Sequence, residues 1–336
     1  MSAAESDAES RSMVHILVPD NLDKAGLDIL NARPDVTVQA AAKMDRDEVM
    51  AVIPNVDALV IRSATKVDKS MLQAASKLQL VGRAGVGVDN VDLAAATERG
   101  VIVMNAPDGN TIATAELAFA LMLSLVRQIP AAYASMQAGK WDRKTFMGTE
   151  LNGKTLGIIG FGRVGRAIAK RAKAFDMDVI TFDPYISPEA PMAMSVTPVT
   201  LDDLFARSDF ITLHALVTDE NKHMINAQSI AKMKKGVRIV NAARGQLIDE
   251  AALAQAIKDG KVAGAGIDVY SDEPPPKDHP LLNLPGVIHT PHLGASTLEA
   301  QDAVAVQIAQ QVLNALFKSE YKNVVNPDVM ERVGKK

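Results

Sequence analysis

The chain has no cysteine, so disulfides, thiolate metal sites and a cysteine nucleophile are excluded, and a reducing, cytoplasmic setting is expected. It lacks a long basic run. "KMKK" at 232–235 is the densest, and a solvated helix end explains it; with a net charge of −4, nucleic acid is not an expected partner. No apolar run is long enough to span a membrane. The longest, "LAFALMLSLV" (117–126), is closed off by Glu116 and Arg127 and suits a buried helix, so no membrane partner is expected. The start, "MSAAESDAESRSM", is acidic without an apolar core; it is not a secretory signal, and residues 1–12 read as a disordered tail. What is present is ordinary globular composition, 48% hydrophobic and 23% charged over 336 residues, enough for about two domains with a sizeable core.

From Met13 the chain alternates β-rich runs ("VHILVP", "VTVQA", "ALVIRS", "LQLVGRA", "VIVMNA") with stretches of helical spacing. That alternation predicts an α/β unit with a parallel, doubly wound sheet, ending near Pro107. A helical stretch at 111–138 follows, which Pro130 is expected to break or kink. A second α/β series runs through "TLGIIG", "DVITFD", "FITLHA", "VRIVNAA", "AGAGIDVY" and "GVIHTP". The closing helix, "TLEAQDAVAVQIAQQVLNALF", has no strand after it. The expected architecture is two doubly wound parallel-sheet domains: a flavodoxin-like one from 13–107 plus 299–330, and a Rossmann domain at 108–298.

Two phosphate-binding patterns stand almost end to end. Gly148, Gly153, Lys154 and Thr155 spell the nucleoside-triphosphate loop, but "WDRKTFM" before it is no buried strand, and a strand rather than a helix follows Thr155. A turn before a strand explains it. Gly160, Gly162 and Gly165 spell G-x-G-x-x-G after the strand "TLGIIG" and before a helical stretch with Val164, Ile168, Ala172 and Phe175 on one face. Gly160 permits the tight turn, Gly162 lets the backbone approach a diphosphate, and Gly165 lets helix and strand pack closely. Asp183 ends the next strand, 18 residues after Gly165, where an acid can bond ribose hydroxyls. Pro184 and Tyr185 follow it, not a cation, which favours NAD over NADP.

Alcohol oxidation with NAD also needs a proton acceptor and an anchor for substrate. Of six histidines, His15 reads as a core or edge residue, His223 as exposed, and His279 as part of the loop "DEPPPKDHP". His214 ends a strand, His289 lies within one, and His292 sits just beyond it, where sites in such sheets form. His289 and His292 lack a further ligand set, so no metal is expected. Arg244, Asp268 and Glu273 follow other strand ends at the same edge. Arg244 offers a planar fork for a carboxylate. Glu273 beside His292 would stabilise the imidazolium and raise its pKa. Singly each reads as a surface ion pair; together, at one edge of a cofactor-binding unit, they read as a site.

The stretches "VIRSATKVD", "GRAGVGVDNVDL", "VMNAPDGN", "KWDRKTFMGTELNGKTLGIIGFGRVGR", "VNAARGQLIDE", "IDVYSDEPP" and "PHLGASTLEAQ" together resemble the D-2-hydroxyacid dehydrogenase family over nearly the whole chain after Met13. The resemblance implies that Arg244 binds the substrate carboxylate and C2 oxygen, that His292 is the general acid/base and that Glu273 is its partner. It implies that Arg163 and Val164 contact the cofactor diphosphate, Asp183 the ribose and Asp268 the nicotinamide carboxamide. Val86, Ala215, Ala242, Ala243, Gly294 and Ala295 match further cofactor positions. Arg62, Ser63, Arg83 and Asn110 match the substrate side, and the two arginines imply a small phosphorylated 2-hydroxy acid. Trp141 falls in a stretch family dimers use near their interface, so a homodimer or homotetramer is expected. "HALVTDENKHMIN" departs from the family's His-x-Pro-Leu pattern, with Leu216 in the proline position. The chain stops at Lys336, which implies a form without the C-terminal regulatory domain of longer members. Two rivals stay open: a reductase for an unphosphorylated acid such as glyoxylate or hydroxypyruvate, and an NAD-sensing corepressor or scaffold.

Overall fold

The computed structural model describes residues 13–333, so the expected tail at 1–12 lies outside the described residues. The chain divides into two compact units. Unit 1 runs to Asn110 and resumes from Ser296; unit 2 is Thr111–Ala295.

Unit 1 is built from β1 (Val14–Val18), α1 (Lys24–Asn31), β2 (Val36–Ala40), α2 (Arg46–Val52), β3 (Ala58–Ile61), α3 (Lys69–Ala74), β4 (Leu80–Arg83), α4 (Leu93–Arg99) and β5 (Ile102–Asn105). The five strands are all parallel in the order β2-β1-β3-β4-β5, the flavodoxin-like winding expected from the sequence. Alternation along each strand feeds two cores. Ile16, Val18, Ala58 and Val60 pack in one cluster, and Leu17, Leu59 and Ile61 in the other.

Unit 2 opens with α5 (Thr111–Arg127) and α6 (Ile129–Gln137). The break falls at Gln128, which takes a left-handed φ of 51°; Pro130 lies inside the first turn of α6, where its missing N–H costs nothing. Then come β6 (Thr155–Ile159), α7 (Arg163–Ala174), β7 (Asp178–Phe182), α8 (Glu189–Met192), β8 (Thr197–Pro198), α9 (Leu201–Arg207), β9 (Phe210–Leu213), α10 (Ala227–Lys232), β10 (Val237–Asn241), α11 (Glu250–Lys258), β11 (Val262–Ile267) and β12 (Val287–His289). The seven strands are parallel in the order β12-β11-β10-β9-β6-β7-β8. From β6 the winding goes first to β7 and later to β9 on its other side, so the carboxyl ends of β6 and β9 flank a switch point, the usual crevice for a ligand. Residues of α5 and α7 line one core cluster, and those of α9, α10 and α11 the other.

α12 (Leu298–Lys318) and α13 (Met330–Val333) belong to unit 1. Val304, Ile308 and Val312 of α12 enter the same cluster as Ile16 and Val60, and a Cβ at Gly82 of β4 would fall 2.7 Å from Val312. No single described helix is long and apolar enough to cross a membrane; α5 and α6 pass only as a pair bent by 62°, and α5 supplies nine buried residues to unit 2.

Candidate active site

The turn after β6 is shaped by its glycines. Gly160 holds φ at +90°, and a Cβ there would lie 2.6 Å from the His214 carbonyl oxygen at the end of β9. A Cβ at Gly165 would lie 2.2 Å from the Gly160 carbonyl oxygen, so α7 and the turn meet backbone to backbone. Gly162 is the N-cap of the twelve-residue α7, carries no side-chain cap, and faces open space where its Cβ would be. An open helix start of this kind suits an anion, because the first amides and the helix dipole favour negative charge. Beside it, Asp183 accepts from the Phe161 N–H at 2.8 Å and the Tyr185 N–H at 2.9 Å. The residues present therefore fit a dinucleotide diphosphate and its ribose. Lys154 lies in the turn before β6, well before this helix start. His214 is kept neutral: burial pushes its imidazole down to about 4, and the Thr212 hydroxyl lies 2.9 Å from Nε2.

A second cluster forms beyond β10, β11 and β12. His292 Nδ1 lies 2.7 Å from Glu273 Oε2, the pair about half exposed. His292 has φ of 54°, and its N–H donates to the Asp268 carbonyl at 2.9 Å. A bulky side chain in left-handed backbone marks a conformation imposed by its surroundings. Asp268, 1% exposed, supplies them: its carboxylate accepts from the Thr290 hydroxyl (2.6 Å) and from the N–H groups of Leu293 (2.7 Å) and Gly294 (2.9 Å). Thr114 on α5 donates to the Gly294 carbonyl at 3.0 Å.

The electrostatics of the pair follow from these contacts. The hydrogen bond to Glu273 raises the His292 pKa above its ordinary value; burial opposes this, the charges of Glu273 and Asp268 add to it, and that of Arg244 subtracts. Burial alone would push the Glu273 carboxyl up, but the bonds from His292 and the Tyr270 N–H, with the charges of His292 and Arg244, hold it below its usual range. Arg244 follows β10 and donates through Nη1 to the Ala243 carbonyl at 2.7 Å, while Asn241 Nδ2 holds the Arg244 carbonyl at 2.8 Å. Ala242 is buried, and Ala215, Ala243 and Ala295 are half-buried. A cavity of about 480 Å³ is lined by Glu273 and His292 together with Tyr270, Pro274, Leu282 and His289. Among the described residues, no group of three or more histidine, aspartate or glutamate side chains could hold a metal.

The remaining candidates lie in unit 1. Arg62 and Ser63 follow β3, Arg83 ends β4 opposite Ile61, Val86 follows it, and Asn110 lies beyond β5. Three adjacent strand ends thus carry them. Buried Asp20 holds the loop after β3, accepting from the N–H groups of Arg62 (2.7 Å) and Thr65 (3.2 Å) and from the Thr65 hydroxyl (2.7 Å). Arg62 Nη1 donates to the Asn21 carbonyl at 3.0 Å. Gly85, at φ +143°, leaves the space the Arg83 guanidinium crosses.

Sequence reasoning missed Asp20 and Thr290, whose partners are 42–45 and 22 residues away, respectively, and which share no local spacing with them. His15, expected in the core or at an edge, is exposed near the start of β1, between β2 and β3.

The sequence model for the NAD-binding domain of D-isomer specific 2-hydroxyacid dehydrogenases matches residues 119–294. The chain is 50% identical over 326 residues to D-3-phosphoglycerate dehydrogenase of Methanocaldococcus jannaschii, covering 96% of this chain and 62% of the relative. It is 49% identical over 311 residues to the enzyme of the same name from Archaeoglobus fulgidus, covering 93% and 59%. The chain therefore spans about three fifths of the length of the curated relatives it matches. A glyoxylate reductase structure from Paecilomyes thermophila superposes with a TM-score of 0.84 at 33% identity, covering 94% of this chain and 98% of that one.

Proposed function

This chain belongs to the D-isomer specific 2-hydroxyacid dehydrogenase family, and from that premise we propose that it oxidises 3-phospho-D-glycerate to 3-phosphohydroxypyruvate, a first step toward serine. NAD is its cofactor. The observation that carries the reading is the Glu273–His292 contact at 2.7 Å beside Arg244, on the unit the NAD-binding family model matches. The substrate rests on the names of the curated relatives and on Arg62 and Arg83 at adjacent strand ends.

Gly160, Gly162, Arg163, Val164 and Gly165 would hold the diphosphate, Asp183 the ribose, and Ala215, Ala242, Ala243, Asp268, Gly294 and Ala295 the rest of the dinucleotide. Bound there, NAD⁺ supplies the acceptor for the C2 hydride. His292 takes the proton of the C2 hydroxyl. The Glu273 contact places the neutral ring's proton on Nδ1, which leaves Nε2 as the base. The Glu273 carboxylate then stabilises the imidazolium. The Arg244 guanidinium holds the substrate carboxylate and the C2 oxygen, where its positive charge is worth a few kcal/mol, ~3 at most sites of this type. On unit 1, Arg62, Ser63, Arg83 and Asn110 are the proposed substrate-side residues.

The test is turnover of paired phosphorylated and unphosphorylated 2-hydroxy and 2-oxo acids, read by NADH absorbance, with His292→Ala and Arg62→Ala beside the wild type. His292→Ala should lower kcat about 10²- to 10⁴-fold with NADH binding retained. Wild-type turnover in that variant would sink the assignment. An unchanged KM for the phosphorylated acid in Arg62→Ala, or preference for glyoxylate, would move the chain toward the reductase its structural relative is named for. NADH binding without turnover on any acid would favour a sensor or scaffold.

A second copy of the chain is the proposed partner. Nothing in α6 is buried, and Ile129, Tyr133, Met136, Trp141 and Met147 are all more than half exposed. Light scattering of Tyr133→Asp against wild type tests this. A cysteine-free chain suits the reducing cytoplasm, where we place it.

A further inference from the structure

We propose that Glu250, the first residue of α11, is a positioning residue: its carboxylate ties together both ends of the loop that carries Glu273 and so sets the Glu273–His292 contact. The inference rests on the reading of that contact as the acid/base pair.

Glu250 and His279 are well enclosed, their side chains 14% and 8% exposed. Glu250 Oε1 accepts from the Ser271 N–H at 3.0 Å, two residues before Glu273. Its Oε2 lies 3.1 Å from His279 Nε2, six residues after Glu273. The Leu281 N–H points at His279 Nδ1 at 3.3 Å, which assigns Nδ1 as acceptor and Nε2–H as donor. The Gln246 side chain donates to the Ser271 carbonyl at 3.1 Å, and Gly245 lies so close to the Tyr270–Ser271 peptide that a Cβ would fall within 1.9 Å of it.

The adjacent amide completes the link. Tyr270 N–H donates to Glu273 Oε1 at 3.0 Å, so two neighbouring N–H groups of one turn hold two carboxylates, Glu250 and Glu273. The Tyr270 ring stands edge-on to His279 at 5.1 Å, and its hydroxyl lies 2.6 Å from Nδ1 of His289, three residues before His292. Burial and then the charges of Glu250, Asp268 and Glu273 push the Tyr270 phenol up to about 12, so it stays protonated and donates to His289. Glu250 thus holds the Glu273 loop at two points, and Tyr270 joins that loop to the strand that delivers His292. Glu250 itself is hydrogen-bonded to neither member of the pair.

The groups that set the His292 titration are Glu273, Asp268 and Arg244. Glu250 acts on it only by keeping Glu273 in place. In full-length Glu250→Ala, kcat should fall about tenfold to a hundredfold, the cost of a misplaced catalytic group, with NADH Kd unchanged. The His292 imidazole, followed by NMR, should titrate closer to the ordinary 6.5 than in wild type. In a Glu273→Gln background the same change should cost less than about twofold, because nothing remains to be positioned. Glu250→Gln, which keeps one oxygen for Ser271 and loses the acceptor for His279, should give a smaller loss in the same direction and serves where the alanine variant does not fold. Equal losses with and without Glu273, or an unmoved His292 titration, overturn the proposal. Absence of turnover in wild type would instead strike the functional reading, because the NMR titration needs no substrate.

Discussion

The helices after the first four β-strands of unit 1 and the helix after β6 of unit 2 start in opposite ways. α1 to α4 begin on Asp23, Asp45, Asp68 and Asp92, each carboxylate accepting from an amide of its own first turn. α9, α10 and α11 are capped likewise by Thr200, Asn226 and Asp249. α7 begins on Gly162, with no side-chain cap and open space in front. A side-chain cap is worth about 1 kcal/mol over alanine and a few tenths over glycine, and α7 forgoes it. The same βα topology therefore serves two ends. Where the helix start is filled by the protein's own carboxylate, it is structural; where it is left bare, its partial positive charge is available to a ligand's anion.

Filling the bare start tests this most severely. Gly162 has φ of −70°, which aspartate accepts, and its Cβ meets nothing within 4 Å. Gly162→Asp should raise stability by a few tenths of a kcal/mol, about 0.3, while weakening NADH at least about a hundredfold, because a carboxylate would face a diphosphate. Fluorescence titration and a thermal melt read the two effects. An unchanged NADH Kd would show that α7 does not hold the diphosphate. Gly165→Ala should do the reverse to stability. Its Cβ would fall 2.2 Å from the Gly160 carbonyl oxygen, and relieving that overlap should cost about 1–3 kcal/mol.

Much of this contrast is legible in the sequence. The demands on Gly160, Gly162 and Gly165 are local, so a strand, three spaced glycines and a helix announce them. The capping aspartates stand immediately before helical runs for the same reason. The arrangement around His292 is of another kind. Its left-handed backbone is imposed by Asp268, which bonds Thr290 and Gly294 on either side of it from 22 and 26 residues away, and the Glu273 loop is held by Glu250 from 21 and 29 residues away. No period or spacing encodes such contacts. His279 reads as one more residue of a proline loop until the fold carries it onto Glu250. Strand-end logic places Arg244, Glu273 and His292 at one edge, but only the folded chain gives the 2.7 Å contact.

The two carboxylate–histidine pairs of unit 2 differ in the same sense. Glu250–His279 is enclosed; Glu273–His292 is more than a third exposed on both sides. Because the His292 pKa is raised, kcat/KM for oxidation should climb with pH through a midpoint above 6.5. In Glu273→Gln that midpoint should fall. The signs for stability are opposite for the partners. The raised His292 pKa contributes stability below its unfolded value, lost as pH rises through the folded one. The depressed Glu273 pKa contributes stability above its unfolded value, lost as pH falls through the folded one. Both side chains are more than a third exposed, so the melting temperature should move little while the activity profile moves clearly.

The smallest effect is the converse of the glycine experiment. Asp92 caps α4 through the Ala95 N–H at 2.9 Å and is no part of the proposed site. Asp92→Ala should cost about 1 kcal/mol, a melting shift of roughly 2 °C in a chain of this length, with NADH Kd and kcat unchanged. The pairing with Gly162→Asp is what gives the result weight. Adding a carboxylate at one helix start and removing one at another should change stability with opposite sign, yet only the addition at α7 should touch the cofactor. If Asp92→Ala weakened NADH as well, the distinction between filled and bare helix starts would fail, and binding would be following global stability instead.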